Sequence, residues 1–140
     1  MMIKKVVFFA CTLAFFSCEG NILPANCLRE FPVNINTDLN NPQLNNAQTP
    51  GGFADLSGGS KGILLLNING SQFVAFDKLC PQNDCDAPMT FENGLVLKCS
   101  CDTSEYSVNF GGAPQTEGFE CPAIEYKVSK NGSAIRISNF

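Results

Sequence analysis

Cysteine constrains this chain more than any other residue type. The 140-residue sequence contains eight cysteines and no histidine. Four of the cysteines form two close groups: Cys80 and Cys85, then thirteen residues, then Cys99 and Cys101. Close cysteines in an exported chain are typical of a disulfide framework, whereas in a cytosolic chain they more often bind metal or take part in catalysis. The compartment therefore decides how these groups are interpreted.

The N-terminus predicts export. Lys4 and Lys5 precede an apolar run, residues 6–16, that is too short to span a bilayer as a helix. The run is followed by serine and Cys18, and a small residue before cysteine is typical of a bacterial lipoprotein cleavage site. We expect residues 1–17 to be a signal peptide. Cys18 would then carry a lipid anchor to the bacterial cell envelope, in the periplasm or at the outer-membrane surface. The alternative is an ordinary secretory signal with a cysteine near the cut.

Charge and composition narrow the possible functions. Without residues 1–17, seven Lys+Arg face thirteen Asp+Glu, a net charge of −6. An acidic surface without a basic cluster argues against nucleic acid as a partner. The chain has no histidine and no serine or carboxylate pair in a recognised catalytic arrangement. We therefore expect no enzyme activity from this chain alone, although it could serve within an oxidoreductase complex.

Short apolar segments separated by turn residues predict an all-β domain. Asn-Gly pairs, which are strong hairpin signals, separate such segments at Asn69-Gly70 and at Asn131-Gly132. No window has the periodicity of an amphipathic helix. We expect residues 18–30 to be a tether and residues 31–140 to form one small antiparallel β-sandwich or barrel.

The strands and cysteine groups together resemble a known family. Strand-like residues 74–79 lead into Cys80, and strand-like residues 95–98 lead into Cys99. Over residues 61–138 this arrangement resembles the Rieske iron–sulfur domain, whose two loops read Cys-x-His and Cys-x-x-His. The Asn-rich segment at residues 34–50, together with Gly51-Gly52 and Gly58-Gly59, also resembles exported Bacteroidetes-type lipoproteins with Rieske-like domains. The resemblance implies a Rieske-like antiparallel sandwich or barrel with two cysteine-bearing hairpin loops.

Half of the family's ligand positions are altered in this sequence. Two cysteines and two histidines hold the [2Fe–2S] cluster in the family. By the resemblance, Gln82 and Asp102 occupy the histidine positions, while Cys80 and Cys99 occupy the cysteine positions. An amide oxygen and a carboxylate are poor ligands for a soft iron–sulfide centre. We therefore expect degenerate ligand positions and no cofactor or metal, with a [2Fe–2S] cluster as the alternative.

Six cysteines of the expected mature chain point to three disulfides. Spacing alone does not choose among the fifteen ways in which six cysteines can pair. The resemblance implies a bridge between Cys85 and Cys101, because the family clamps its two loops in this way. Our hypothesis is that Cys80 and Cys99 also pair, since their positions face each other and no histidine is present. The remaining two cysteines form the third expected pair, Cys27 with Cys121.

Competing functions follow from this pattern. The first is an exported, membrane-anchored Rieske-fold lipoprotein that has lost its cluster. It would act as a disulfide-stabilised binding or structural module, and an envelope protein is a candidate partner. The alternative is electron transfer through a [2Fe–2S] centre, of Rieske type or with four cysteine ligands. Thiol–disulfide exchange through Cys99-Ser100-Cys101 and a structural zinc site are further alternatives. The following residues are expected near the loop tips: Phe91, Phe110, Phe119, Asp84, Asp86 and Asp102.

Overall fold

In the part of the chain that the structure describes, ten β-strands form two antiparallel sheets. The computed structural model describes Pro24, residues 26–28 and residues 31–139, so the predicted signal peptide and Cys18 lie outside the described residues. In chain order the strands are β1 (Asn34–Asp38), β2 (Phe53–Leu56), β3 (Ile63–Asn67), β4 (Phe73–Asp77), β5 (Thr90–Glu92), β6 (Val96–Lys98), β7 (Glu105–Ser107), β8 (Ala113–Pro114), β9 (Glu125–Asn131) and β10 (Ala134–Ser138). Two short 3₁₀ helices occur in the described residues, Pro42–Ala47 and Val108–Phe110.

The larger sheet has the order β1-β10-β9-β4-β3-β2, and the smaller sheet has the order β5-β6-β7-β8. The Asn69-Gly70 turn joins β3 to β4, and the Asn131-Gly132 turn joins β9 to β10. The all-β prediction is therefore confirmed. Within the described residues, no helix is long and apolar enough to cross a membrane.

Strand β3 lies between two hydrophobic cores. Successive side chains of a strand point to opposite faces of the sheet. Ile63 and Leu65 pack into a first core with β9 and β10, whereas Leu64 and Leu66 pack into a second core with β6 and β7. All five residues of β3 are buried for this reason. The uninterrupted apolar run in the sequence thus corresponds to a strand that is covered on both faces.

The buried carboxylate of Asp77 joins the larger sheet to the segment after β4, which leads into the smaller sheet. Asp77, at the end of β4, is 0% exposed. Its side chain accepts four hydrogen bonds, from the backbone N–H groups of Ser60 (2.6 Å), Lys61 (3.2 Å) and Leu79 (2.9 Å) and from the hydroxyl of Tyr126 (2.8 Å). A buried carboxylate is tolerated when its oxygens are fully hydrogen-bonded. Asp77 therefore fixes β4 relative to β9, to the turn before β3 and to the segment that follows β4.

Replacing Tyr126 by Phe removes one of these donors without removing the aromatic ring. We expect the free energy of unfolding to fall by about 1.5–3 kcal/mol, the usual contribution of a hydrogen bond to a charged group. Urea denaturation measures the change. The control is Asp55→Asn, which breaks a 2.9 Å ion pair with Lys78 in which Asp55 is 60% exposed; it should cost less than about 1 kcal/mol. Equal losses in the two variants would contradict the role given to Asp77.

Candidate functional site

The cysteines lie on two loops at one end of the smaller sheet. The first cysteine loop, residues 78–89, joins β4 to β5, and the second cysteine loop, residues 99–104, joins β6 to β7. Thr90 pairs with Lys98 across β5 and β6, so the first loop ends opposite the point where the second begins. The strand register therefore brings together two cysteine groups that are separate in the sequence.

Two disulfides connect the loops. Cys80 is bonded to Cys99 and Cys85 to Cys101, with Cα–Cα distances of 5.6 and 6.1 Å. Cys80, Cys85 and Cys99 are at most 1% exposed. Cys101 is exposed. The first bridge is thus entirely internal, whereas the second runs from the interior to the surface.

A third disulfide brings the N-terminal segment to the same region. Cys27 is bonded to Cys121 with a Cα–Cα distance of 5.3 Å. The neighbouring Leu28 donates its backbone N–H to the carbonyl of Pro81 at 2.8 Å. Residues 26–28, which belong to the predicted tether of residues 18–30, therefore lie against the first cysteine loop and are cross-linked to Cys121.

Gln82 and Asp102, at the histidine positions of the family pattern, are both engaged in hydrogen bonds. The Gln82 side-chain oxygen accepts from the Glu120 N–H at 3.3 Å. Asp102 accepts from the Ser104 N–H at 3.0 Å and from the Ser104 hydroxyl at 2.5 Å. It also accepts from the side-chain amide of Asn83, on the other loop. These two residues therefore connect loops to one another in this structure.

A hydrogen-bond chain links Asp102 to the core. Ser104 donates its hydroxyl proton to Asp102, so Tyr106 is the donor in the 2.9 Å contact between the two hydroxyls. Asn83, Ser104 and Tyr106 are absent from the site residues predicted above. The Asp-Thr-Ser pattern, typical of a turn capped by an aspartate side chain, is a signal that points to Ser104.

The hydrogen-bond chain has a carboxyl group at one end, on Asp102, and a phenol at the other, on Tyr106, and their pKa values are shifted in opposite directions. Burial acts to raise the pKa of Asp102, but the hydrogen bonds from Ser104 and Asn83 outweigh it, and the pKa lies below its usual value. Burial raises the pKa of Tyr106; the Ser104 hydrogen bond opposes this rise and the nearby Asp102 charge adds to it. Asp102 is therefore held ionised and Tyr106 protonated, which keeps the chain of donors and acceptors intact near neutral pH.

The second loop contains a strained backbone position. Thr103 has a φ of +60°, a conformation that β-branched residues rarely adopt and that costs about 1–3 kcal/mol. Its N–H donates to the Cys99 carbonyl at 2.9 Å, which closes the turn. The Cys85–Cys101 bridge and the hydrogen bonds of Asp102 restrain this turn from both sides.

The phenylalanines predicted near the loop tips are spread over the domain. Phe91 lies in β5 and packs edge-on against Phe53 with ring centroids 4.9 Å apart. Phe110 is 75% exposed, but it follows β7 and therefore lies at the end of the smaller sheet opposite the cysteine loops. Phe119 is partly buried and precedes Glu120, which contacts the first loop. Of the three, Phe119 alone lies beside the candidate site.

Three sulfur atoms meet inside the loop end. Among the described residues, the Sγ atoms of Cys80, Cys85 and Cys99 lie within 4.8 Å of one another, close enough for three thiolates to bind one metal ion. The donor set does not fit a Rieske cluster. The chain has no histidine, the sulfurs of Cys80 and Cys99 are bonded to each other, and such a cluster needs two histidines and two free thiolates.

Comparison with solved structures identifies the fold. The chain is similar to the ferredoxin of carbazole 1,9a-dioxygenase from Nocardioides aromaticivorans IC177, with a TM-score of 0.51 and 18% identity over 78% of this chain and 98% of that one. A complex of reduced oxygenase and oxidised ferredoxin in carbazole 1,9a-dioxygenase matches with a TM-score of 0.49 and 17% identity, over 64% of this chain and 82% of that one. No protein-family model and no curated protein matches the sequence.

The likeness to the first ferredoxin confirms the predicted Rieske-like fold. That protein is named as the ferredoxin of a dioxygenase, not as the dioxygenase itself. The prediction that no cofactor belongs to this chain is wrong, because the fold is that of a ferredoxin, a class of iron–sulfur protein. The sulfur group at Cys80, Cys85 and Cys99 has the same implication. The missing histidines exclude the ordinary Rieske ligand set, but they do not exclude a cofactor held by other ligands.

Replacing Asp102 by Asn tests the hydrogen-bond chain. The lowered pKa of Asp102 means that its contribution is present above the unfolded value of about 3.9 and is lost as the pH falls through the folded pKa. We expect the variant to lose up to about 1 kcal/mol at pH 7, because the group is partly exposed. Its stability should also fall less than that of the wild type below about pH 4.

Urea denaturation between neutral and acidic pH measures both effects. The matched control is Asp84→Asn, which makes the same charge change at an exposed position of the first loop. If both variants follow the same pH profile, the hydrogen-bond chain does not stabilise the loops.

Proposed function

We propose that this chain is an exported, lipid-anchored Rieske-fold protein whose cysteine-loop end binds a protein partner as a disulfide-stabilised module. By cysteine-loop end we mean residues 81–86 and 100–103. The observation that carries the proposal is the pair of disulfides that joins these two loops. The Asn83–Asp102 hydrogen bond adds a further link between them. A surface that is rigid before binding loses less conformational entropy on association.

The charge of the cysteine-loop end favours a basic partner. Asp84, Asp86 and Glu120 are exposed around the loops. The lysines that flank the loops, Lys78 and Lys98, each have a carboxylate neighbour, at 2.9 and 3.5 Å. Because complementary charges guide association and suppress wrong partners, we propose a partner with a positively charged docking surface. The similar ferredoxin is named as part of a dioxygenase, which supports a protein rather than a small molecule as the partner.

Partner binding is tested by site-specific photo-crosslinking in the native host. A photoreactive residue at the exposed Ser100 should yield an adduct. The same residue at Lys130, in the distant β9–β10 hairpin, should not. We expect the double variant Asp84→Asn and Asp86→Asn to reduce the yield several-fold and added salt to reduce it further, because both weaken electrostatic attraction.

The matched control for charge is the double variant Glu92→Gln and Glu125→Gln, whose acids lie on strands outside the cysteine-loop end. It should leave the yield of adduct unchanged. A yield that falls equally in the two double variants would contradict recognition through the loops.

Export and lipid anchoring rest on two separate observations. The N-terminus has the charged residues, apolar run and serine-cysteine pair of a lipoprotein signal. The described residues contain three disulfides, which persist mainly in oxidising compartments. Both support a location in the cell envelope, with the lipid on Cys18.

Replacing Cys18 by Ser tests the anchor. We expect the wild type to incorporate a labelled fatty acid and to sediment with membranes, and the variant to lose both properties, because stable anchoring needs the acyl chains. Cys11→Ser, which changes a cysteine within the predicted signal, should behave as the wild type. A Cys18 variant that keeps the label would contradict this assignment.

Electron transfer through a metal centre is the second candidate function. The proximity of the sulfurs of Cys80, Cys85 and Cys99 and the ferredoxin fold favour it. It requires these cysteines in the reduced form, since a disulfide sulfur is not a thiolate ligand. Iron and acid-labile sulfide in protein purified under anaerobic conditions would support this candidate, and their absence under the same conditions would contradict it.

A further inference from the structure

Two disulfides approach each other at Cys85. The Sγ atom of Cys85 lies within 4.8 Å of the Sγ atoms of both Cys80 and Cys99, which form the buried bridge. Cys85 is itself 1% exposed, whereas its partner Cys101 is exposed. One bridge therefore joins a cysteine at the surface to a buried cysteine whose sulfur lies beside the second bridge.

We propose that these four cysteines form a thiol–disulfide relay that accepts an electron pair from a dithiol, on a protein or a small molecule. The electrons enter at Cys101 and pass through Cys85 to the buried Cys80–Cys99 bridge. This activity is separate from partner binding through the loops. It differs from exchange within the Cys99-Ser100-Cys101 segment, because Cys85, from the other loop, is the internal nucleophile.

The first step occurs at the surface. A thiolate of the dithiol attacks the Cys101 sulfur, forms a mixed disulfide with it and breaks the Cys85–Cys101 bond, so that Cys85 leaves as a thiolate. Exchange of this kind proceeds by thiolate attack on an accessible sulfur. We place the attack at Cys101 because it is the exposed residue among the four cysteines.

The second step is internal. The Cys85 thiolate attacks Cys80 or Cys99, forms a new disulfide with it and releases the other as a thiolate, which takes up a proton. The second thiol of the dithiol then resolves the mixed disulfide at Cys101. The dithiol leaves as a disulfide, and the chain gains two electrons and two protons. The four relay cysteines then form one internal bridge and two thiols.

Burial of Cys85 favours the second step, and the strained turn at Thr103 favours the first. Cys85 belongs to the second hydrophobic core, together with Met89 and Leu97, where a thiolate is poorly solvated. The thiolate is therefore short-lived there and reacts with the nearest disulfide. Opening the Cys85–Cys101 bridge also releases a restraint on the strained turn at Thr103, whose φ is +60°.

The wild-type protein provides the first test. One equivalent of dithiothreitol is added, the reaction is stopped with acid at intervals, and free thiols are alkylated and located by peptide mass spectrometry. The relay predicts two-thiol molecules labelled at Cys101 and at either Cys80 or Cys99. Label at Cys101 and Cys85 alone, at every time, would overturn the proposal.

Two variants provide the second test. Cys101→Ser leaves Cys85 as a thiol beside the buried bridge, and we expect part of the protein to contain Cys85 bonded to Cys80 or Cys99. The control is Cys121→Ser, which frees Cys27 from a bridge outside the group of three sulfurs and should leave Cys80–Cys99 intact. An intact Cys80–Cys99 bridge in all molecules of both variants would refute the relay.

Discussion

The Asp77 carboxylate is the interaction on which the site depends. It accepts hydrogen bonds from the turn before β3, from Leu79 and from Tyr126 of β9. The turn fits because residue 59 is glycine, with a φ of +61°; a Cβ there would lie 2.2 Å from the Asp77 oxygen. Cys80 follows three residues after this anchor, so the direction of the first cysteine loop is set where the larger sheet ends.

The smaller sheet relies on the cysteines for its stability. Its strands β5, β6 and β7 have three residues each and β8 has two, so the strand ladder alone contributes little. Cys80, Cys85 and Cys99 are part of the same core as the β3 side chains. The disulfides thus both fill the space between the sheets and cross-link the loops, and each bridge restricts the unfolded chain.

Several parts of the molecule could be predicted from the sequence. The two Asn-Gly turns locate hairpins because this pair favours the positive φ that tight turns need. The apolar run of β3 indicates a buried strand. The positions of Phe110 and Asn83 could not be predicted in the same way. Phe110 is near the second loop in sequence, but β7 carries it to the opposite end of the sheet, and Asn83 meets Asp102 because the strand register aligns two loops.

The sequence by itself determined the strand segments, their turns, the resemblance to a Rieske domain and the absence of histidine. These properties depend on residue identity and on neighbours within a few positions. The tertiary structure alone decided that three sulfurs from two bridges meet, that Gln82 and Asp102 hold loops together, and that one cysteine of the four stays at the surface. Such contacts require strands that are distant in the chain to pair in one register, as β4 and β9 do, and short-range preferences do not specify that pairing.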